Sequence, residues 1–486
     1  MSNALAGNTG PVNPIHGNKL KTLGRWSIRL LLAMVLIVVL LISLFLVINW
    51  KDETLSGQAQ ALSQERPVQV ADAQNGFYIL KMIDAPADTD VFKAGLEKVN
   101  VERALYLKNR GAYQAPAQNV TPPKVVKFSW DQKSCQRTAN CVQDTLTHRS
   151  EVSEQMKSNQ LLLQRYELMQ KTGDFEERLL PTFTAEFPSY GLLLKAMEMQ
   201  TAQAVFDIAD GKLEAGLQTL ESNNRYARSV LKNSYSLVSK MVMLTGLRKQ
   251  VRAVSELATL YPVLNSQYPA RLKQLVSPMS EAERSLSAAF SNEALFGMRF
   301  NEDLRNSNQS AEVVDAAEVP WPVYSLLKYS YQSNATNNLL AQYWGILINA
   351  AKQPLLDIPA VEKQLAELER QRLGTGIFSF HHYAYNPAGK MLVQIGIPSY
   401  YSAYIEKSID AEGYLRLVAL QLDILEKKIP VADIPDYVTN TGKAYRNPYD
   451  DTAMTWDAGK RQLQFVGHEK ATSNPDGGKM SVIPMS

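Results

Sequence analysis

The chain has only two cysteines and five histidines in 486 residues. So few thiols exclude a disulfide-dense scaffold, a four-cysteine zinc site and a cluster held by four cysteines. The strings GxSxG, HExxH, GxxxxGKS/T and GxGxxG are absent, as is an EF-hand loop. That removes the common signatures of hydrolases, zinc proteases and nucleotide-binding enzymes, although a dispersed site needs no string. Hydrophobic residues make up 45% and charged residues 20%, with glycine (25) and proline (23) at ordinary usage. These values exclude a wholly disordered chain, a collagen-like chain and a multi-span membrane protein.

Charge of one sign is missing from the start of the chain. Residues 1–29 carry Lys19, Lys21, Arg25 and Arg29 and no acid. Leu30 to Ile48 follows as nineteen residues whose only polar member is Ser43. As a helix this run is about 29 Å long, enough to cross the hydrocarbon core. Trp26 and Trp50 flank it where amphipathic rings favour the interface, and Lys51, Asp52 and Glu53 open the far side. The positive-inside bias places the N-terminus in the cytoplasm and the bulk of the chain in the periplasm. A cleaved signal peptide would have a shorter apolar core nearer Met1. Ala59-Gln60-Ala61 resembles a cleavage site but lies well past the run. The expectation is an uncleaved, single-pass inner-membrane anchor touching the lipid bilayer through residues 30–48.

The same tail explains the net charge of +3. Without its four bases, residues 30–486 hold 47 bases against 48 acids. The exported part is near neutral, and the excess base reads as a topology signal. No nucleic-acid partner is implied.

Beyond the anchor, helical spacing dominates. The organisation reads as a cytoplasmic tail (1–29), the span (30–48), a linker (49–66) and a small exported segment (67–130). A helical domain (131–435) and a C-terminal hairpin with a flexible tail (436–486) follow. The fold class expected is mainly α: a transmembrane helix plus a multi-helix periplasmic domain with a small β-hairpin. Residues 51–66 read as a polar tether. Gly76 to Ile83 fits either a strand or a helix, and periodicity alone does not separate them. Phe92 to Leu107 reads as a helix, and Gly111 to Lys124 as a loop. Helices are expected over Leu161–Thr172, with Gly173 as the stop, and over Leu192–Ala209. Further ones are expected over Leu213–Leu220, Tyr226–Leu231 and Leu237–Leu260. Ala202, Gly211, Gly216 and Leu220 resemble tetratricopeptide helix pairs, but no second copy follows at 34 residues, so packed antiparallel helices are expected. Ser280 and Glu283 form a capping-box pattern for a helix expected to reach Leu304. Residues 305–335 read as a long connection. Asn338–Ala351, Pro359–Leu373 and Ser402–Lys428 read as helices, and Gly374 to Pro387 as a break. Met454–Trp456 and Arg461–Val466 give a hairpin, with residues 470–486 frayed.

Candidate chemistry is sparse. Cys135 and Cys141 lie in the exported part, where an oxidising compartment favours a structural disulfide over free thiols or catalysis. Their five-residue separation is not the Cys-x-x-Cys of redox sites. His16, His148, His381, His382 and His468 offer no chelating geometry, so no metal and no cofactor is expected. Glu293 falls near the stripe Leu286, Phe290, Gly297 and is a possible buried carboxylate. Such a group needs a partner or must protonate, and Arg299, Arg305 or Arg284 could supply one. A structural ion pair is the expected role, a catalytic acid the alternative. Twenty-two tyrosines with Trp321 and Trp344 allow a sugar- or peptide-binding groove, with helix packing the plainer use.

Two stretches carry resemblances. Asn75-Gly76-Phe77-Tyr78 through Asp84-Ala85-Pro86, then Cys135 and Cys141, then Leu163-x-Arg165-Tyr166-x-Leu168, resemble uncharacterised proteobacterial envelope proteins with a single membrane anchor. That likeness implies an inner-membrane anchor and a periplasmic helical domain, with no activity attached. Tyr414-Leu415-Arg416-Leu417, Asn447-Pro448-Tyr449 and Phe465-Val466-Gly467 are similar to the C-terminal region of type II secretion pseudopilins. This chain has Asn447 where that family has Asp and lacks its N-terminal processing signature, so the likeness implies shared local architecture alone. The function expected is an envelope interaction or scaffold protein with an unknown envelope partner. The alternatives are an enzyme acting on envelope polymers and a helical ligand binder.

Overall fold

The computed structural model describes residues 16–108, 125–130, 140–182, 185–306, 325, 328–353, 357–373, 382, 384–396, 401–468 and 479–482. It is mainly α-helical. The first helix, α1 (His16–Ile48), contains Trp26–Ile48, a stretch long and apolar enough to cross a membrane and exposed except at the half-buried Phe45 and Leu46. Short helices α2 (Gly57–Leu62) and α3 (Phe77–Lys81) precede α4 (Val91–Lys108). Helices α5 (Cys141–Thr147), α6 (Arg149–Ser158) and α7 (Gln160–Thr172) lead to the long helices α8 (Tyr190–Ala209), α9 (Leu213–Asn233) and α10 (Leu237–Leu260). Then come α11 (Pro262–Gln267), α12 (Pro269–Leu275), α13 (Glu281–Arg284) and α14 (Ser287–Asn306). Helices α15 (Ser333–Ala350), α16 (Ile358–Arg372), α17 (Pro387–Gly396), α18 (Ser402–Lys427) and α19 (Ile434–Thr439) complete the helical part.

Local chemistry sets these ends. Gly173 closes α7 at φ +89°, a left-handed conformation that a side chain would strain. The Ser236 hydroxyl caps α10 by accepting from the Ser239 amide, and Asp357 caps α16 through Ala360. The Ser280–Glu283 capping box forms as its spacing implies, with both reciprocal bonds present. The helix it opens lasts one turn. Ser285 is extended (φ −66°, ψ 133°), and α14 starts afresh at Ser287.

Helix α10 lies at the centre, packed against α8, α9 and α18, while α14 pairs with α15. One hydrophobic core runs from Ala59 through Phe77, Tyr166, Leu247, Phe290 and Leu420 to Phe465. Residues 67–130, 131–435 and 436–486 therefore share a single interior. Strands β1 (Thr455–Asp457) and β2 (Gln462–Val466) form the expected hairpin, antiparallel with Trp456 opposite Leu463. It docks on α18 where Gly413 leaves room for the Phe465 ring. A Cβ at Gly413 would sit 2.3 Å from that ring.

Of the two alternatives left open for Gly76–Ile83, the segment is helical at its centre. Several expectations are corrected. Residues 213–233 form one helix rather than two, because Glu221–Arg225 continue the 3.6-residue spacing through their polar side chains. Helix α15 starts five residues before Asn338, and α17 was not anticipated. Within 470–486, expected to fray, Lys479–Val482 adds β3 to the hairpin, with Phe465 opposite Met480. The largest correction concerns 49–66: this segment is hydrogen-bonded and packed against α15, not a free tether. The loop expected over Gly111–Lys124 lies outside the described residues; just after it, the Val126 amide donates to the Asp84 carbonyl (2.7 Å).

Candidate functional site

Two polar constellations stand out. The first is a buried carboxylate cluster at the start of α10. Glu177 is buried and accepts from the Tyr235 amide (2.7 Å), the Ser236 amide (2.6 Å) and hydroxyl (2.7 Å), the Ser239 hydroxyl (3.2 Å) and the Tyr190 hydroxyl. Burial beside this carboxylate pushes the Tyr190 hydroxyl well above its ordinary range. Glu176, also buried, accepts from the amides of Gln69 (3.0 Å) and Val70 (2.8 Å) and from the Tyr235 hydroxyl (3.1 Å), and pairs with Arg178. Five donors on one carboxylate and a guanidinium on the other repay the desolvation of both. These residues hold 69–75, 174–178 and 234–239 together.

Glu293 borders this cluster. Burial, with Glu177 as a like charge nearby, raises its carboxyl to about 7, and the Leu237 amide opposes the rise. Two of the three arginines expected as partners do not pair with it. Arg299 bonds Glu302 (2.6 Å) and the Ser63 carbonyl (2.9 Å), Arg284 makes no ion pair with Glu293, and the Arg305 side chain lies outside the described residues. Burial disfavours the charged form, so the carboxyl can take up a proton near neutrality. Lys240 is fully buried on the next turn of α10, donating to the carbonyls of Ala282 (3.0 Å) and Glu283 (3.2 Å), and burial lowers it to about 7. A protonatable acid and a deprotonatable base thus flank one carboxylate cage. Chemically this can take up or release protons near neutrality. Glu176, Glu177 and Lys240 were not legible as sites, because most of their partners are distant in the chain, such as Val70 for Glu176, Ser236 for Glu177 and Ala282 for Lys240; the adjacent acids between Phe175 and Leu179 were the only hint.

The second constellation is the exit of the apolar helix. The buried Asn49 side chain donates to the carbonyl of Ala384 (2.8 Å) and accepts from the Asn386 amide (2.9 Å), while its own carbonyl accepts from the Gln332 side chain (2.6 Å). Asp52 accepts from the amides of Asn334 (2.8 Å) and Ala335 (3.0 Å), capping the first turn of α15 from 282 positions earlier in the chain. Asn338 donates to Glu53 (2.9 Å) and to the Thr54 carbonyl (3.0 Å) and accepts from the Ser56 amide (2.7 Å). Asn386, at φ 50°, also accepts from the Gln332 amide (3.0 Å) and the Gly389 amide (3.2 Å), which caps α17. Tyr329 and Tyr385 donate to the carbonyls of Leu46 (3.2 Å) and Lys51 (3.4 Å). The end of the apolar helix is therefore fixed to the domain by side chains on both.

The remaining sequence candidates fall as follows. Cys141 is the buried first residue of α5, and Cys135 lies outside the described residues, so their pairing stays a proposal. Among the described residues no group of three or more His, Cys, Asp and Glu side chains could hold a metal ion. His148 faces the Asp144 carbonyl (2.9 Å), and His468 stacks on Tyr449 at 3.8 Å; His381 lies outside the described residues. Trp344 packs with Phe290 (5.7 Å) and Tyr401 (5.0 Å) inside the core, and Trp321 lies outside the described residues. The two halves of the first resemblance touch: the Arg165 guanidinium donates to the carbonyls of Ile83 (2.9 Å), Ala85 (2.7 Å) and Pro86 (2.7 Å). No protein-family model matches the chain, and no curated protein or solved structure matches it.

Proposed function

We propose that this is a single-pass inner-membrane protein, N-terminus in the cytoplasm, whose periplasmic helical domain is an interaction or scaffold platform for another envelope protein. The observation that carries the reading is the hydrogen-bonded junction at Asn49, Asp52 and Asn386. A domain whose only need is proximity to the membrane works on a free tether, whereas one that presents a particular face gains from fixed orientation. The base-only tail supports the topology, and an oxidising compartment supports pairing of Cys135 with Cys141. The resemblance to membrane-anchored envelope proteins points the same way. The test is photo-crosslinking in intact cells from positions on the domain surface. One recurrent partner, lost when a flexible insert is placed after Trp50, supports the reading. Partner capture unaffected by that insert refutes it.

A second reading has one observation in its favour. A carboxyl near 7 suits a general acid, so Glu293 would be the proton donor of an enzyme acting on envelope polymers. Glu293→Gln would then abolish function and leave the fold intact. Retained function excludes it.

A further inference from the structure

The exit of the apolar helix carries a second feature that the anchor does not use. Helix α17 begins at Pro387, directly after Asn386, whose amide is bonded to Asn49 at the last turn of α1. Pro387 is buried at the start of α17, and beyond it one face is buried through Gly389 and Val393. The opposite face shows Met391 (49% exposed) and Ile395 (75% exposed), four positions apart and so one above the other. Among the described residues nothing covers them. Around the same level stand Trp50, 81% exposed, and the partly exposed Tyr329 and Tyr385, each tyrosine bonded to a backbone carbonyl at the end of the apolar helix.

We infer that this end of the domain is a lipid-contact surface: Met391 and Ile395 of α17, with Trp50, Tyr329 and Tyr385, seat in the headgroup–acyl boundary of the bilayer that α1 crosses. The inference rests on the anchor reading. Continuity decides the occupant. Met391 lies five residues from Asn386, roughly 8 Å along a helix, and the interfacial zone on each side of the hydrocarbon core is itself about 5–8 Å thick. A surface bonded to the last turn of a spanning helix reaches that zone before any protein partner does. Its composition also fits. Apolar side chains on one helical stripe enter the acyl boundary, and aromatic rings with a polar atom prefer the headgroup level.

The test uses the full-length protein in phosphatidylethanolamine/phosphatidylglycerol vesicles containing a phospholipid with a photoactivatable acyl chain. Adducts are mapped by mass spectrometry. The expected result is adducts on two segments, 26–50 and 387–396, with the second set lost and the first kept in Met391→Ser/Ile395→Ser. Both substitutions are at exposed positions, and unchanged circular dichroism checks the fold. Adducts on 26–50 alone in the unmodified protein overturn the inference and leave the anchor standing; the α17 face then awaits a protein. Absence of adducts on 26–50 overturns both.

Discussion

Glu293 gives a prediction with a definite sign. In the folded chain its carboxyl is raised from 4.5 to about 7, chiefly by burial. Unfolding restores the ordinary value, so between those pH values the folded chain holds a proton that the unfolded chain has released. The associated stability is fully present below about pH 4.5 and is lost as pH rises through about 7. At about 1.4 kcal/mol per tenfold change, the full effect is roughly 3 kcal/mol. Glu293→Gln keeps the shape and the capacity to hydrogen-bond and removes the ionisation. Its advantage over the unmodified chain is expected to be near zero at pH 4.5 and to grow to about 2–3 kcal/mol by pH 8. Urea denaturation of the full-length protein in detergent micelles, followed by tryptophan emission at a series of pH values, measures the difference directly. An advantage that does not vary with pH would refute the argument, because it would mean that Glu293 is ionised and paired in the folded chain.

Lys240 has the opposite sign: lowered from 10.5 to about 7, it makes stability rise between those pH values, and Lys240→Met is expected to flatten that rise in the same titration. Asp52→Ala removes the cap on the first turn of α15 and is expected to cost about 1–2 kcal/mol, with faster hydrogen exchange at Asn334 and Ala335 as the local readout. Unchanged exchange there would show that Asp52 does not hold the turn. Gly413→Val drives a side chain into the Phe465 ring and is expected to lower the melting temperature by several degrees, with the C-terminal hairpin becoming protease-sensitive first. Alkylation of freshly isolated, denatured protein without reductant is expected to label neither Cys135 nor Cys141; labelling of both rules out their pairing.

The helical character of the chain was legible because apolar side chains at three- and four-residue spacing, such as Leu162, Tyr166 and Met169, all turned out to be buried. Ends marked by local chemistry were legible too: Gly173, the Ser280–Glu283 box and the hairpin. What failed was whatever depended on distant groups. The break at Ser285 is tied to the Ala351 carbonyl, 66 positions on (2.9 Å), and no local signal announces it. The segment 49–66 looked like a tether because it is polar and small. Its order comes from Asn334, Asn338 and Asn386, which lie about 280–340 positions later. Glu293 is half-buried, and Arg284 and Arg299, two of the arginines nearest it in sequence, do not pair with it. Glu177, the like charge that helps raise it, is more than a hundred positions away.

The junction at Asn49 also sets how far the domain can travel. A free linker of sixteen residues would let a domain wander over an r.m.s. distance of roughly 20–24 Å from its anchor, at any height and in any attitude. With Asn49, Asp52, Glu53 and Ser56 bonded to the domain, that excursion vanishes. If α1 crosses a bilayer as proposed, diffusion becomes a search in the plane, at one altitude, with rotation about the membrane normal as the main remaining freedom. Any tilt of α1 is then also a tilt of the domain, so a bilayer that thins or thickens changes the angle at which the distal helices point away from it.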